Sequence, residues 1–162
     1  MNRIFFSSND QAWQTPPVIF NDLNREFRFE LDAAASAQNS LCKKFISKED
    51  DAVLMDEWPA SRIWLNPPYN RNSHFMEKAV EQSLMGKLIV ALIFVRSDTQ
   101  WWHDWVMPYA SEIRLVKGRI YFSKADGTCG PATSPSCIIV FPPYRSNGVT
   151  FSTYIQPKHR KK

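Results

Sequence analysis

Four consecutive residues, Asn66-Pro67-Pro68-Tyr69, have the types and order needed to bind the amino group of a planar heteroaromatic ring. An amino nitrogen conjugated to a purine or pyrimidine is a poor nucleophile, because its lone pair is delocalised into the ring. The side-chain carbonyl of Asn66 and the backbone carbonyl of Pro67 could each accept one amino hydrogen and so direct the lone pair toward a donor. Two prolines fix φ and hold these carbonyls in one orientation. The motif therefore predicts methyl transfer to an amino nitrogen, without a covalent intermediate.

Tyr69 supplies an aromatic ring at the end of this motif. An enzyme cannot reach an amino nitrogen inside a duplex, so the base must be rotated out, and stacking on an aromatic ring stabilises such a base by about 1–3 kcal/mol. Methylation of a ring carbon would instead need a cysteine nucleophile, and Cys42, Cys129 and Cys137 all lie away from this loop. The simpler alternative is a proline turn that merely closes a strand.

The elements around the motif indicate an α/β protein. Ile63-Trp64-Leu65 predicts a short strand that ends at Asn66, because consecutive prolines cannot donate to a central ladder. Phe29 to Asp32 predicts an earlier strand, and the apolar run Lys87 to Val95 predicts one buried on both faces at the centre of a parallel sheet. The other predicted elements are helices over 16–27, 73–85 and 98–109, strands over 113–116, 119–122 and 137–141, and a mobile loop over 123–136.

Two acidic residues are candidate ligand contacts near the motif. Ligands of open α/β sheets bind beyond the carboxyl ends of the strands, and Asp32 stands at such an end, before the small residues Ala33 to Ser36. Its carboxylate suits an ammonium group, although it could instead cap the following turn. Asp51 could accept a hydrogen bond from an amino group of a ligand, or it could be a solvated loop residue.

Composition and charge restrict the class of protein. The chain has 162 residues, of which 44% are hydrophobic and 22% charged, and this suits one domain. We predict a domain over 1–155 and a basic tail over 156–162. The chain has 20 lysines and arginines and a net charge of +4, and four of these basic residues lie in residues 158–162. Such a tail is either a solvated end or a weak contact with DNA.

Cysteine use and hydropathy indicate the compartment. Three cysteines without a CxxC pair predict neither a zinc site nor a disulfide framework. The N-terminus lacks the apolar stretch of a signal peptide, and the longest apolar run is too short to span a bilayer. We therefore expect a cytoplasmic protein without metal or membrane partners.

With these residues in place, the chain resembles the phage-type DNA N6-adenine methyltransferase family. The resemblance implies a single-domain, Rossmann-like methyltransferase sheet with helices on both faces, S-adenosylmethionine as donor, and adenine in DNA as acceptor. It runs from residue 13 to about residue 151 through ordered landmarks, which are Trp13-x-Thr15-Pro16, Phe29-x-Leu31-Asp32-x-Ala34-Ala35, Asn39, Cys42, Asp51, Trp58, Trp64 to Tyr69, Asp98-Thr99-x-Trp101-Trp102, Arg119-Ile120-x-Phe122 and Pro135-Ser136.

The resemblance also implies roles for individual residues. Asp32 would pair with the ammonium of the cofactor's methionine moiety, and Asp51 would accept from its adenine amino group. Trp13 and Thr15 would close over the same pocket, or Trp13 would simply anchor the N-terminus to the core. In full, the implied base-holding residues are Asn66, Pro67, Pro68 and Tyr69, and the implied cofactor-binding residues are Trp13, Thr15, Asp32, Ala34, Ser36, Asp51 and Asn66.

Two features depart from the broader pattern of amino methyltransferases. No glycine-rich loop follows the first strand, so the cofactor turn must be built from Ala33 to Ser36. Only about 30 residues separate this turn from Asn66, which leaves little room for the usual intervening strands and helices. We therefore expect a trimmed sheet.

Contacts with DNA are expected from loops, since no separate target-recognition domain is visible. Arg71, Arg96 and Lys124 are predicted phosphate contacts, although basic loop residues are often only solvated. The motif itself does not distinguish adenine N6 from cytosine N4 or from a protein glutamine nitrogen. A catalytically silent DNA-binding module on the same scaffold is a further alternative. The resemblance over the rest of the chain favours adenine.

Overall fold

The computed structural model describes residues 13–124 and 126–158, which form one mixed sheet with helices on both faces and a separate hairpin. Its helices are α1 (Pro17–Phe27), α2 (Asn72–Leu84) and α3 (Met107–Tyr109), with a 3-10 turn at Tyr69–Arg71 and a π-helical turn at Trp102–Val106. Its strands are β1 (Leu31–Asp32), β2 (Lys44–Phe45), β3 (Arg62–Leu65), β4 (Leu88–Phe94), β5 (Glu112–Val116), β6 (Tyr121–Ser123), β7 (Cys129–Pro131), β8 (Ser136–Phe141) and β9 (Thr150–Tyr154).

The main sheet has seven strands in the order β2-β1-β3-β4-β8-β5-β9. The first four are parallel to one another, β8 runs antiparallel to both β4 and β5, and β9 is parallel to β5. The prediction that β4 lies at the centre of the sheet is confirmed. The prediction of a purely parallel sheet around it is wrong on one side, because β8 enters between β4 and β5 after the β6–β7 hairpin has reversed the chain.

Two cores cover the two faces of this sheet, because successive side chains of a strand point to opposite faces. Ile63 and Leu65 of β3 pack with Met76 of α2 on one face. Trp64, between them, packs with Phe20 and Leu23 of α1 on the other. All six side chains are buried. The prediction of an α/β fold with helices on both faces is confirmed.

Each long helix ends where its sequence indicates. Pro17 occupies the first turn of α1, where a missing N–H costs nothing, and Arg28 ends the helix in a left-handed conformation, its N–H donating to Asn24 O at 2.9 Å. Gly86, with φ of 95°, follows the end of α2 as a C-terminal glycine. The third predicted helix, over 98–109, instead contains the π-helical turn before α3.

The sheet is trimmed in its connections rather than in its number of strands. Residues 33–61 link β1 to β3 with no helix between them, and β1 and β2 have only two residues each. The predicted mobile loop over 123–136 contains β7, which pairs with β6 in a hairpin outside the main sheet. The strand predicted over 119–122 corresponds to β6 and therefore belongs to this hairpin and not to the main sheet. Strands β2 and β9 were not predicted, because neither has a regular alternation of buried and exposed residues.

Some expectations reach beyond the described residues. Of the predicted basic tail, residues 159–162 lie outside the part of the chain that the structure describes. No helix within the described ranges is long and apolar enough to cross a membrane.

Candidate active site

The parallel pairing of β1 with β3 brings two distant motif residues to one edge of the sheet. Asp32 is the last residue of β1 and lies opposite Trp64 of β3, so that Asn66 follows only two residues later at the same edge. A cavity of about 500 Å³ opens there. The position agrees with the rule that open α/β sheets bind ligands beyond the carboxyl ends of their strands.

The residues implied as base-holding or cofactor-binding all line this cavity. They come from four separate segments of the chain, and their roles remain predictions. The lining includes Trp13, Thr15, Asp32, Ala34, Ser36, Asp51, Asn66, Pro67, Pro68 and Tyr69.

Asn66 has a defined orientation in this cavity. Its Nδ2 donates to Oγ1 of Thr15 at 2.9 Å, and Thr15 is only 4% exposed. The next residue, Pro67, is buried, while the carbonyl of Pro68 accepts from the N–H of Arg71 at 3.0 Å. This turn leads directly into α2. The amide of Asn66 is therefore held by a neighbour from the N-terminal segment, on a loop that a helix start makes rigid.

Tyr69 is supported from behind by an aromatic ring that sequence analysis did not select. Its ring stacks on Phe94, the last residue of β4, with centroids 4.3 Å apart and planes 15° from parallel. Burial raises the pKa of the Tyr69 hydroxyl to about 12, so the ring is neutral at physiological pH. Phe94 thus covers one face of the Tyr69 ring. The one available signal for Phe94 was its position at the carboxyl end of the strand beside β3.

Asp32 is a buried carboxylate that both shapes its own loop and lines the cavity. It is 4% exposed and accepts from the N–H groups of Leu41 at 3.1 Å and Ala34 at 3.4 Å. Burial raises its pKa to about 6, although these two hydrogen bonds act in the opposite direction. Among the described residues it forms no salt bridge. The two alternatives, loop capping and ligand contact, are therefore compatible.

Asp51 forms an ion pair in the cavity wall. Its two carboxylate oxygens accept from Nη2 of Arg71 at 3.0 and 3.1 Å, and Oδ1 also accepts from the N–H of Val53. The Arg71 guanidinium lies 5.5 Å from the ring centre of Phe75. Arg71, a predicted phosphate contact, thus lies in the cavity wall beside Asp51, and its contact with DNA remains a prediction.

The other two predicted phosphate contacts lie outside the cavity lining. Arg96 is exposed after β4, and Lys124 follows β6 with its Nζ 4.7 Å from the ring centre of Trp13. The hairpin also holds the N-terminal segment directly, because the N–H of Gln14 donates to Ser123 O at 2.7 Å. Contact of Arg96 or Lys124 with DNA remains a prediction. Within residues 13–124 and 126–158, no group of three or more His, Cys, Asp or Glu is placed to hold a metal ion.

Comparisons with known proteins match the chain to one family model, to two phage proteins and to a solved structure. Residues 5–162 match the family model described as DNA N-6-adenine-methyltransferase (Dam). A protein of that name from Haemophilus phage HP1 (strain HP1c1) is 28% identical over 153 residues, which are 91% of this chain and 88% of the relative. Another of that name from Escherichia phage T1 is 35% identical over 93 residues, which are 57% of this chain and 39% of the relative. The crystal structure of a predicted O-methyltransferase from Agrobacterium tumefaciens aligns with a TM-score of 0.46 and 11% identity, over 82% of this chain and 83% of that one.

Proposed function

Because this chain belongs to the DNA N-6-adenine-methyltransferase (Dam) family, we propose that its cavity serves methyl transfer from S-adenosylmethionine to the N6 amino group of an adenine rotated out of DNA. The chain is accordingly an enzyme, a DNA adenine methyltransferase. One observation carries the assignment of the site. Asn66 to Tyr69 and the buried Asp32 line one cavity at the carboxyl edge of the parallel strands.

The cavity has the size and the polar groups that S-adenosylmethionine requires. Its volume of about 500 Å³ falls within the roughly 300–1,000 Å³ typical of small-molecule sites. The buried carboxylate of Asp32 suits the ammonium of the methionine moiety, and the short side chains of Ala33 to Ala35 leave room beside it. Asp51, within the β1–β3 connection, is the proposed acceptor for the adenine amino group. When bound, the cofactor supplies a methyl group activated by a sulfonium.

The role of the motif is to orient the target nitrogen. We assign Oδ1 of Asn66 and the carbonyl of Pro67 as acceptors for the two N6 hydrogens, so that the lone pair of the nitrogen faces the donor. Neither residue forms a covalent bond to the base. Catalysis by such a site consists of positioning and preorganised electrostatics, which agrees with a loop held by Thr15 and by the start of α2.

Tyr69 is the proposed platform for the extruded base. Phe94 covers one face of the Tyr69 ring, so the base stacks on the opposite face. Because Phe94 already restrains the Tyr69 ring, less side-chain entropy is lost when the base binds. The hydroxyl is not needed for this contact, because stacking depends on the ring.

Tyr69→Ala should lower kcat/KM for DNA about 5- to 150-fold, the range that about 1–3 kcal/mol of stacking represents. Tyr69→Phe and Tyr69→Trp should stay within a few fold of the wild type, because both keep a ring against Phe94. Steady-state rates with labelled cofactor measure the first effect, and 2-aminopurine fluorescence at the target position measures base extrusion. Tyr144→Ala, at a 66% exposed tyrosine, is the matched control. Equal activity in all three Tyr69 variants would remove the stacking argument.

Nucleoside analysis tests the proposed acceptor. DNA incubated with the protein and labelled S-adenosylmethionine should yield N6-methyladenine, and modified-base sequencing of DNA from expressing cells should report the same base with its sequence context. N4-methylcytosine, or label in protein, would overturn the acceptor. Calorimetry that detects no binding of S-adenosylmethionine would support a silent DNA-binding module instead. We place the reaction in the cytoplasm, where the DNA of a bacterial host and its phages lies.

A further inference from the structure

The hydrogen bond between Asn66 and Thr15 joins two residues that lie 51 positions apart in the chain. Nδ2 of Asn66 is the donor and Oγ1 of Thr15 the acceptor, at 2.9 Å. Thr15 is buried and Asn66 half-buried, and both line the cavity. The bond therefore forms inside the site, where water competes weakly for either group.

This bond holds the Asn66 amide in one place, with its oxygen end left toward the cavity. An asparagine side chain has one acceptor end and one donor end, and only the acceptor end can receive a hydrogen from a target amino group. The donor end, turned toward the same amino group, would oppose hydrogen to hydrogen. With Nδ2 engaged by Thr15, Oδ1 is left for the base. Without this bond, the Asn66 side chain would be free to rotate and would hold Oδ1 toward the base for less of the time.

We propose that Thr15 is a positioning residue that holds the Asn66 side chain in place for methyl transfer, rather than a contact that closes over the cofactor. This inference rests on the proposed function of Asn66. It gives the N-terminal segment a part in the reaction step, not only in ligand binding.

Thr15 is suited to this task because its own position is set on both sides. Before it, the N–H of Gln14 donates to Ser123 O at 2.7 Å and ties the segment to the β6–β7 hairpin. After it, the carbonyl of Pro16 accepts from the N–H of Ile19 at 3.0 Å at the start of α1. The hydroxyl is thus held between the hairpin and a helix start, and it presents a fixed acceptor to Asn66.

Thr15→Val tests the proposal, because valine keeps the shape of threonine and removes the acceptor. We expect kcat to fall about 10-fold, the upper range for one hydrogen bond between neutral groups. The Kd for S-adenosylmethionine and the KM for DNA should stay within about 2-fold, because neither ligand loses a contact, and Thr15→Ser should restore most of kcat. Thr150→Val is the matched control, since the Thr150 hydroxyl also makes a hydrogen bond, to Ser111 O, but on the far edge strand β9.

A readout independent of turnover examines the bond itself. In the free protein, the Asn66 side-chain amide protons, identified by their loss in Asn66→Ala, should exchange with solvent faster in Thr15→Val than in the wild type and Thr15→Ser. A Thr15→Val variant with wild-type kcat, beside a wild type that methylates adenine, would overturn the proposal and leave the function standing. So would a loss of cofactor affinity and melting temperature that Thr15→Ser fails to restore, because that pattern indicates a structural role. A wild type without methyl transfer would instead overturn the proposed function.

Discussion

Asn66→Ala should abolish methyl transfer while leaving the affinity for S-adenosylmethionine within a few fold. The substitution removes the side-chain acceptor for the target amino group, and the loss of one such preorganised polar group costs about 100- to 1,000-fold in kcat in comparable sites. Binding of the cofactor should persist, because the proposed ammonium and adenine contacts come from Asp32 and Asp51. Single-turnover rates with labelled cofactor, together with calorimetry, measure the two effects separately.

The matched control for this substitution is Asn147→Ala, at an exposed asparagine in the turn before β9. It should leave both rate and affinity unchanged. Loss of cofactor binding in Asn66→Ala with retained turnover would contradict the assigned role, because it would make Asn66 a cofactor ligand and not a base acceptor. The melting temperature of the variant should stay close to that of the wild type, since Asn66 is only half-buried.

Asp32→Asn should weaken the binding of S-adenosylmethionine at least about 10-fold at pH 8 and abolish its pH dependence. The cause is the loss of a buried negative charge facing a bound ammonium, and breaking such a pair is strongly unfavourable. In the wild type, burial raises the pKa of Asp32 to about 6, so the ionised form that attracts the ammonium prevails only above this pH. Affinity for the cofactor should therefore fall about 10-fold per pH unit below pH 6. Calorimetric titrations between pH 5 and 8 measure both effects.

The stability of the free protein should respond in the opposite sense. Because burial raises the folded-state pKa of Asp32 above its ordinary value of 3.8, the carboxyl contributes stability at low pH, and this contribution is lost as the pH rises through about 6. Thermal unfolding should show this loss of stability in the wild type between about pH 4 and pH 6, whereas Asp32→Asn, which cannot ionise, should lack it. An ionised carboxylate that binds a ligand and destabilises the free protein is an example of the trade-off between stability and function.

The loop-capping alternative for Asp32 gives a different result in the same experiment. Asparagine is itself a good capping residue, so a carboxylate that only caps the 33–41 loop could be replaced with little change in cofactor affinity or in its pH dependence. That outcome would contradict the ammonium contact. Asp126→Asn is the control, because Asp126 is exposed and its Oδ1 accepts from the N–H of Thr128 in its own turn.

The local sequence determined the elements that carry the chemistry. Ile63 to Leu65 predicted β3, and the two prolines after Asn66 predicted its end, because proline cannot donate to a ladder. The alternation of side chains then sets which residues of β3 and β4 enter which core. The position of Asp32 and Asn66 at strand ends was also predictable, and the rule that parallel strands end at one edge brought them together.

Only the tertiary structure decided which side chains meet at this edge. Phe94 behind Tyr69, Thr15 beside Asn66 and the pairing of Asp51 with Arg71 each join separate segments. The same is true of β8, whose direction depends on how the β6–β7 hairpin returns the chain to the sheet. Periodicity and turn residues report only on neighbours in sequence, whereas these contacts depend on the register and approach of distant elements. The sequence thus determined the chemical groups and their strand ends, and the packing of the folded chain determined their partners and orientations.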